Sequence, residues 1–377
     1  MGIKQSTMES LVKYKLFNGV YENKRIFITG HTGFKGSWLA FWLQSIGAIA
    51  KGYSLAPNTK PSHWSLLNLD MESVYGDIRD EKKLAKEISV FEPDIVFHLA
   101  AQPIVRLSYD KPVETYETNV IGTLKVFEAC RTVNSVKAIV NITTDKVYDN
   151  KEWVWGYREN DALGGYDPYS SSKACSEILT ASYRNSFFNL NEYGKSHNVL
   201  ISSVRAGNVI GGGDWAADRL IPDIMKATDR GDTTEIRNPV ATRPWQHVLE
   251  PLSGYLLLGS ELLKGNKKLA ESWNFGPEDS SNLTVKQVCD YIVKYWDKAK
   301  FKFGEVSKGP HEANLLKLDC SKANSVLEWN PVWGNETCFM KTAEWFKNFY
   351  ENKTINTEDD LINYIEAARK KQLIWTL

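Results

Sequence analysis

The chain has 377 residues, a formal net charge of zero from 46 basic and 46 acidic side chains, and five cysteines without CxxC spacing. Interspersed charge leaves no basic field to hold a nucleic acid or an anionic membrane, and an odd set of unspaced cysteines argues against a disulfide framework or a metal site. No apolar run approaches the roughly 18 residues of a membrane span, so a cytoplasmic protein with no membrane partner is expected.

Met1 to Asn23 is polar and charged and reads as an extension packed on the body. Arg25 to Thr29 predicts a strand, and Trp38, Leu39, Phe41, Trp42, Leu43 and Ile46 recur at helical spacing after Gly36. The pattern continues with strands over Ala48 to Tyr53 and Val74 to Ile78, a helix over Glu81 to Val90, and a strand over Asp94 to Ala100. One long helix from about Val113 to Val133 precedes a strand over Val136 to Ile142. A helix from Tyr169 to about Leu190 then precedes a strand over Val199 to Val204. Alternation of this kind predicts an α/β, Rossmann-type doubly wound, mostly parallel sheet. Ligands of such sheets bind beyond the carboxyl ends of the strands, where Gly30, Asp77, Ala100, Thr144 and Arg205 fall.

After Val204 the elements shorten and are interrupted by Gly211-Gly212-Gly213 and by Pro222, Pro239, Pro244 and Pro277, which predicts a smaller α/β C-terminal substrate-binding lobe. Pro251 to Leu263 predicts a helix returning to the sheet, Trp273 to Phe275 one more strand, and Glu358 to Lys371 an amphipathic helix. The expected organisation is an extension over 1–23, a dinucleotide-binding Rossmann domain over 24–205 with a return near 245–277, and a discontinuous substrate domain over 206–377. Trp153, Trp155, Trp215 and Trp245 lie in polar loops and are candidates to line a pocket or simply to pack.

Between the first strand and helix stands Gly30-His31-Thr32-Gly33-Phe34-Lys35-Gly36. Its glycines permit a tight turn and close approach to a pyrophosphate, which the amides of the following helix would face. His31 and Lys35 offer either a cationic rim near a phosphate or the adenine ribose, or merely solvated side chains. Asp77, before Ile78, supplies a carboxylate for an adenine amino group. The second strand ends Gly52-Tyr53-Ser54-Leu55 with neither a ribose-gripping acid nor a following arginine, which favours NAD. Thr144, at a strand end in the same crevice, can hold a substrate hydroxyl. Tyr169 can act as a base only if a cation stabilises its phenolate, and Lys173, one turn later on the same helix face, supplies that charge.

The stretches Thr29 to Trp38, Phe97 to Gln102, Thr115 to Asn119, Thr144 to Lys146, Asp167 to Lys173, Arg205 to Trp215 and Ala241 to Val248 carry a family resemblance. The chain resembles the extended short-chain dehydrogenase/reductases (the NAD-dependent epimerase/dehydratase superfamily), and within them the CDP-glucose 4,6-dehydratases. The resemblance implies a hydro-lyase that oxidises C4 of CDP-glucose, eliminates water across C5 and C6, and returns hydride to C6 with NAD recycled. Tyr169 would take the 4-hydroxyl proton with Thr144 and Lys173 assisting, and Asp145 would protonate the departing 6-hydroxyl. Lys146 stands where most relatives carry a glutamate for the C5 proton, so it either acts as that base or holds the enolate charge. Phe34, Ile78, Ala100 and Asn119 would join the glycine loop in binding NAD. A 4,6-dehydratase or 4-epimerase for another nucleotide sugar, and an NAD-binding module without turnover, are the alternative readings.

Two substrate phosphates need cations, and Arg219, Arg237 and Arg243 are available. Arg243, before Pro244-Trp245, matches the family's nucleotide-binding arginine, and Asn208 its sugar-phosphate asparagine. Gln102 and Arg106 are candidates for the sugar hydroxyls or phosphate. The resemblance also implies a homodimer, with a homotetramer as an alternative, joined through the helices after Val113 and Tyr169 by Val120, Leu124, Phe127, Ile178 and Leu179. It further implies a place in deoxysugar synthesis for lipopolysaccharide O-antigen.

Overall fold

The computed structural model describes residues 15–278, 282–304 and 315–377. The main sheet holds β1 (Arg25–Thr29), β2 (Ile49–Ser54), β3 (Glu72–Tyr75), β4 (Ile95–His98), β5 (Ala138–Ile142), β6 (Leu200–Arg205) and a seventh strand, Ser272–Asn274. From one edge the order is the seventh strand, β6, β5, β4, β1, β2 and β3, with every pairing parallel. The Rossmann-type sheet expected from the alternation is therefore present, and its strand order reverses between β1 and β4, where a ligand crevice opens. Buried on both faces, β4, β5 and β6 are covered at every residue, whereas β3 at the edge is mostly exposed.

Five helices position the crevice: α1 (Phe34–Ser45), α2 (Glu81–Phe91), α3 (Thr123–Arg131), α4 (Pro168–Ser186) and α5 (Leu249–Leu263). In α1, Trp38 and Trp42 are wholly buried because the helix is covered by the C-terminal segments as well as by the sheet: Trp42 packs edge-on against Tyr364 and Trp375. The start of α4 is fixed by Pro168 in its first turn and by Asp167, whose carboxylate caps the Ser170 amide at 2.9 Å. α5 does return to the sheet, and the seventh strand pairs with β6.

The single helix expected over 113–133 is broken into Pro112–Tyr116, a π-helical turn at Glu117–Gly122, and α3. Close packing accounts for the wider turn: a Cβ on Gly122 would lie 2.6 Å from the Ile78 side chain, and the Asn119 amide is committed to partners on two other segments. Such turns often mark functional sites. Beyond β6, short strand pairs join Val209–Ile210 to Gln246–His247, Thr242–Pro244 to Asn282–Thr284 and Thr233–Ile236 to Lys300–Phe303. One buried apolar cluster runs from the sheet into this lobe. Of the extension, residues 1–14 lie outside the described residues. Phe17 stacks on Trp375, and Tyr21 donates to the Leu256 carbonyl at 2.5 Å, so this part packs on the body.

Candidate active site

The cofactor loop is shaped by what glycine lacks. Gly30 has φ +77°, and a Cβ there would meet the Ala100 nitrogen at 2.7 Å across the switch point; a Cβ on Gly36 would meet the Gly30 carbonyl oxygen at 2.1 Å. Gly33 is exposed and precedes α1 without a side-chain cap, which leaves the first amides of that helix facing the crevice. This cradle fits the pyrophosphate of a dinucleotide. Phe34 and Lys35, in the first turn, line the adjoining cavity.

His31 is not a cationic rim. Its ring lies where a Cβ on Gly52 would be, edge-on to Trp64 and hydrogen-bonded to the Ser73 hydroxyl at 2.7 Å, and burial lowers it to about 4. The cation of the loop is Lys35, lowered to about 8 by burial and by Arg219, with the charge of Asp145 opposing. Asp77 is clamped by Arg79 through its amide, Nε and Nη2, which holds the carboxyl below its usual range. Any adenine contact must share that carboxylate. Ile78 is buried against Gly122.

Gln102 and Asn119 form a closed clamp and do not line the cavity. The Gln102 amide nitrogen donates to Asn119 Oδ1 at 2.8 Å, Asn119 Nδ2 donates to the Gln102 carbonyl and to Ser172, and the Gln102 side chain is spent on Thr115 and Ile104. Both residues fix the loop after β4 against α4. The direct substrate contact expected of Gln102 is corrected accordingly, because a buried amide with its donors and acceptor filled has nothing left to offer.

At the end of β5, Thr144 caps a 3-10 turn (Asp145–Val147); its hydroxyl donates to Asp145 Oδ1 at 2.9 Å and accepts from the Lys146 amide at 3.4 Å. Asp145 occupies the space of a missing side chain, since a Cβ on Gly207 would lie 1.8 Å from Oδ2. From α4, Lys173 donates to the Ile142 carbonyl at 3.1 Å, which ties the helix to the end of β5. Burial, with Lys35, lowers Lys173 to about 8. Burial raises Tyr169 to about 12, while a hydrogen bond with Thr144 and the charge of Arg219 pull it down. The cation that pulls on the tyrosine is Arg219, some 50 residues away in sequence, whereas Lys173, to which the helix spacing gave that task, is held by the Ile142 carbonyl.

Beneath these groups lies a network the sequence reading missed. Glu177, one turn beyond Lys173, is buried and pairs with Arg205 at 2.8 Å while accepting from Ser203 and Thr143. Arg205 also donates to the Tyr148 hydroxyl at 2.7 Å, and Tyr148 donates to Asn274 Oδ1 at 2.7 Å. The network joins the helix bearing Tyr169 and Lys173 to the turn bearing Asp145 and Lys146. The available signal was an acid at Lys173-x-x-x-Glu177 on a face otherwise pointing inward.

Thr144, Asp145, Lys146 and Tyr169 open onto a cavity of about 750 Å³. The same cavity is lined by a wall that carries Arg106, Asn208, Arg219, Arg243 and Trp245. Arg106 pairs with Asp218 at 3.4 Å and Arg219 with Asp214 at 2.9 Å, while Arg243 donates to the Thr242 carbonyl at 2.8 Å. Arg237 is exposed and does not line the cavity. Of the loop tryptophans only Trp245 lines it; Trp215 packs among Trp345, Phe346 and Phe349, and Trp153 stacks on Tyr157.

Residues 27–342 match the family model described as GDP-mannose 4,6 dehydratase. The chain belongs to this family. Among characterised members it is 51% identical over 354 residues to the CDP-glucose 4,6-dehydratase of Salmonella typhimurium, covering 93% of this chain and 98% of that protein. Among solved structures it resembles the UDP-glucose 4-epimerase of Thermotoga maritima with UDP-glucose (TM-score 0.74, 23% identity, 87% of this chain and 100% of that one). It also resembles the UDP-glucose 4-epimerase of Brucella ovis in complex with NAD (TM-score 0.71, 21% identity, 86% and 98%). The likeness to the two epimerases is one of fold.

Proposed function

We propose that the protein is an NAD-dependent CDP-glucose 4,6-dehydratase, converting CDP-glucose to CDP-4-keto-6-deoxyglucose and water. The observation that carries this reading is the convergence of Thr144, Asp145, Lys146 and Tyr169 on one cavity that arginines also line. The choice of cytidine nucleotide is supported by the 51% identity to the Salmonella enzyme.

The cradle of Gly30, Gly33 and Gly36 would hold NAD, which would supply a reversible hydride acceptor for the sugar. The chain's own groups do the rest. Tyr169, as phenolate, takes the 4-hydroxyl proton while Thr144 orients that hydroxyl. Lys173 and Arg219 lower the cost of the phenolate. The resulting 4-ketone acidifies C5–H, and Lys146, on the same cavity, serves the C5 side as base or as counter-charge to the enolate. Asp145 protonates the departing 6-hydroxyl. A 4-epimerase expels no water and has no use for an acid beside Thr144, so the placement of Asp145 favours the dehydratase. Arg219 and Arg243 are assigned to the two substrate phosphates, Asn208 to the sugar-phosphate and Arg106 to the sugar side.

With this reading go a dinucleotide-binding unit over 24–205 with a return at 245–277, a nucleotide-sugar unit over 206–377, a cytoplasmic location and a role in supplying deoxysugars to O-antigen. A homodimer through the helices around 113–131 and α4 is supported by exposed Val113, Tyr116, Ile121 and Ile178; Phe127, expected on that face, is wholly buried in the core because α3 packs against α2. The test is mass spectrometry of protein incubated with CDP-glucose, dTDP-glucose, UDP-glucose and GDP-mannose, each with and without NAD. Loss of one water from CDP-glucose alone is expected, and loss from another sugar or from none overturns the assignment.

A further inference from the structure

Of the four groups that converge on the substrate cavity, Asp145 alone also lines a second, smaller hollow of about 10 Å³, which it shares with Gly207 and Gln246. Its Oδ1 accepts from Thr144 at 2.9 Å, and its Oδ2 lies against Gly207, where a Cβ would stand 1.8 Å away. The carboxyl group therefore has one oxygen held by a hydroxyl and the other turned to a residue with no side chain.

Gln246 closes the far side of Gly207. It is 1% exposed, and its amide nitrogen donates to the Gly207 and Phe275 carbonyls at 3.1 Å each. A flipped amide would set oxygen against oxygen at both contacts, so the orientation is fixed. Its backbone N–H donates to the Asn208 carbonyl at 3.2 Å, which adds a second tie to the same segment. Gln246 Oε1 is left buried, with no donor among the described residues. Buried acceptors in folded proteins are nearly always satisfied, by an internal water where no protein donor reaches. The hollow beside it offers roughly the room that one water needs.

We propose that Gln246 is a positioning residue for Asp145 and acts through one buried water that joins Oε1 to the Asp145 carboxyl; the role of Asp145 itself rests on the dehydratase reading. One hydrogen of this water goes to Oε1, which can only accept. Its other hydrogen and its lone pairs serve Oδ2, so it donates to the carboxylate and accepts from the carboxylic acid. An acid that loses and regains a proton in each turnover is thus held in place in both states. A lysine or arginine in that position would hold the carboxylate only.

A crystal structure of the wild type, at a resolution that shows ordered water, is the direct test. A water within hydrogen-bonding distance of both Gln246 Oε1 and an Asp145 carboxyl oxygen is expected, and a dry contact or another side chain in its place overturns the proposal. The functional test mixes NAD-loaded Gln246→Met, which keeps the length and loses the amide, with CDP-glucose. Reduced nicotinamide is followed by absorbance and quenched samples by mass spectrometry. Oxidation at C4 makes no use of Asp145, so elimination should slow about 10- to 100-fold more than oxidation and reduced nicotinamide should accumulate, with KM unchanged. Equal slowing of the two steps, or a wild-type course, overturns the positioning role. If the variant does not fold, the wild-type crystal structure decides. A wild type that dehydrates no CDP-glucose brings down the dehydratase reading itself, a result separate from whether the water is seen.

Discussion

The floor and the wall of the crevice are built differently. On the floor, Thr144, Asp145 and Lys173 each have a hydrogen-bond partner, and the Glu177–Arg205 pair beneath them is 1% and 2% exposed. On the wall, Arg106 and Asp218 are 45% and 46% exposed, while Arg219 belongs to both floor and wall, half-exposed itself but paired with buried Asp214 and close enough to act on Tyr169. Chemistry that moves protons requires fixed distances, which buried and mutually satisfied groups supply. The task proposed for the wall, to admit, hold and release a charged nucleotide, is better served by ion pairs that open at little cost.

The contrast can be broken first at the floor. Tyr169→Phe should lower kcat by about 10³-fold or more with the substrate KM little changed, as measured by steady-state product formation. Arg205→Met leaves the buried Glu177 carboxylate unpaired and should cost about 3–5 kcal/mol in urea unfolding, while the double variant with Glu177→Leu should recover much of the loss. Gly207→Ala pushes on the Asp145 carboxylate and should lower kcat roughly 10- to 100-fold with a melting temperature near that of the wild type.

A pH titration sharpens the comparison. Lys173 and Lys35, lowered to about 8 mainly by burial, are charged below that value and lose their protons as pH rises through it, whereas Arg219 is raised by Asp214 and keeps its charge. The kcat profile should therefore fall above about pH 8 while KM for the nucleotide sugar stays level; a parallel rise in KM would place the titrating group on the wall. The smallest effect is expected at the wall itself. Arg106→Ala should raise KM a few-fold and change stability by less than about 0.5 kcal/mol.

Much of the crevice was legible in the order of residues because its parts are local. A glycine loop between a strand and a helix, a Tyr and a Lys four positions apart on one helix, and a polar strand end need only helix and strand geometry to be placed. Other roles were set by contacts between distant segments. His31 reads as a cation in the sequence and is neutral because the surface of β2 and Trp64 enclose it. Gln102 and Asn119 read as ligand contacts and instead satisfy each other. The break in the helix over 113–133 follows from the press of Ile78 on Gly122, which no helix propensity records.

The amino-acid sequence by itself thus determined the parallel sheet, the glycine turn before α1 and the shared helix face of Tyr169 and Lys173, because these rest on hydrophobic periodicity and short-range spacing. Tertiary structure alone decided which charges those groups feel. Arg219 reaches Tyr169, Gly207 makes room for Asp145, and Arg205 braces Tyr148 only once the chain has brought β5, β6 and α4 side by side, since burial and Coulombic contact depend on distance in space.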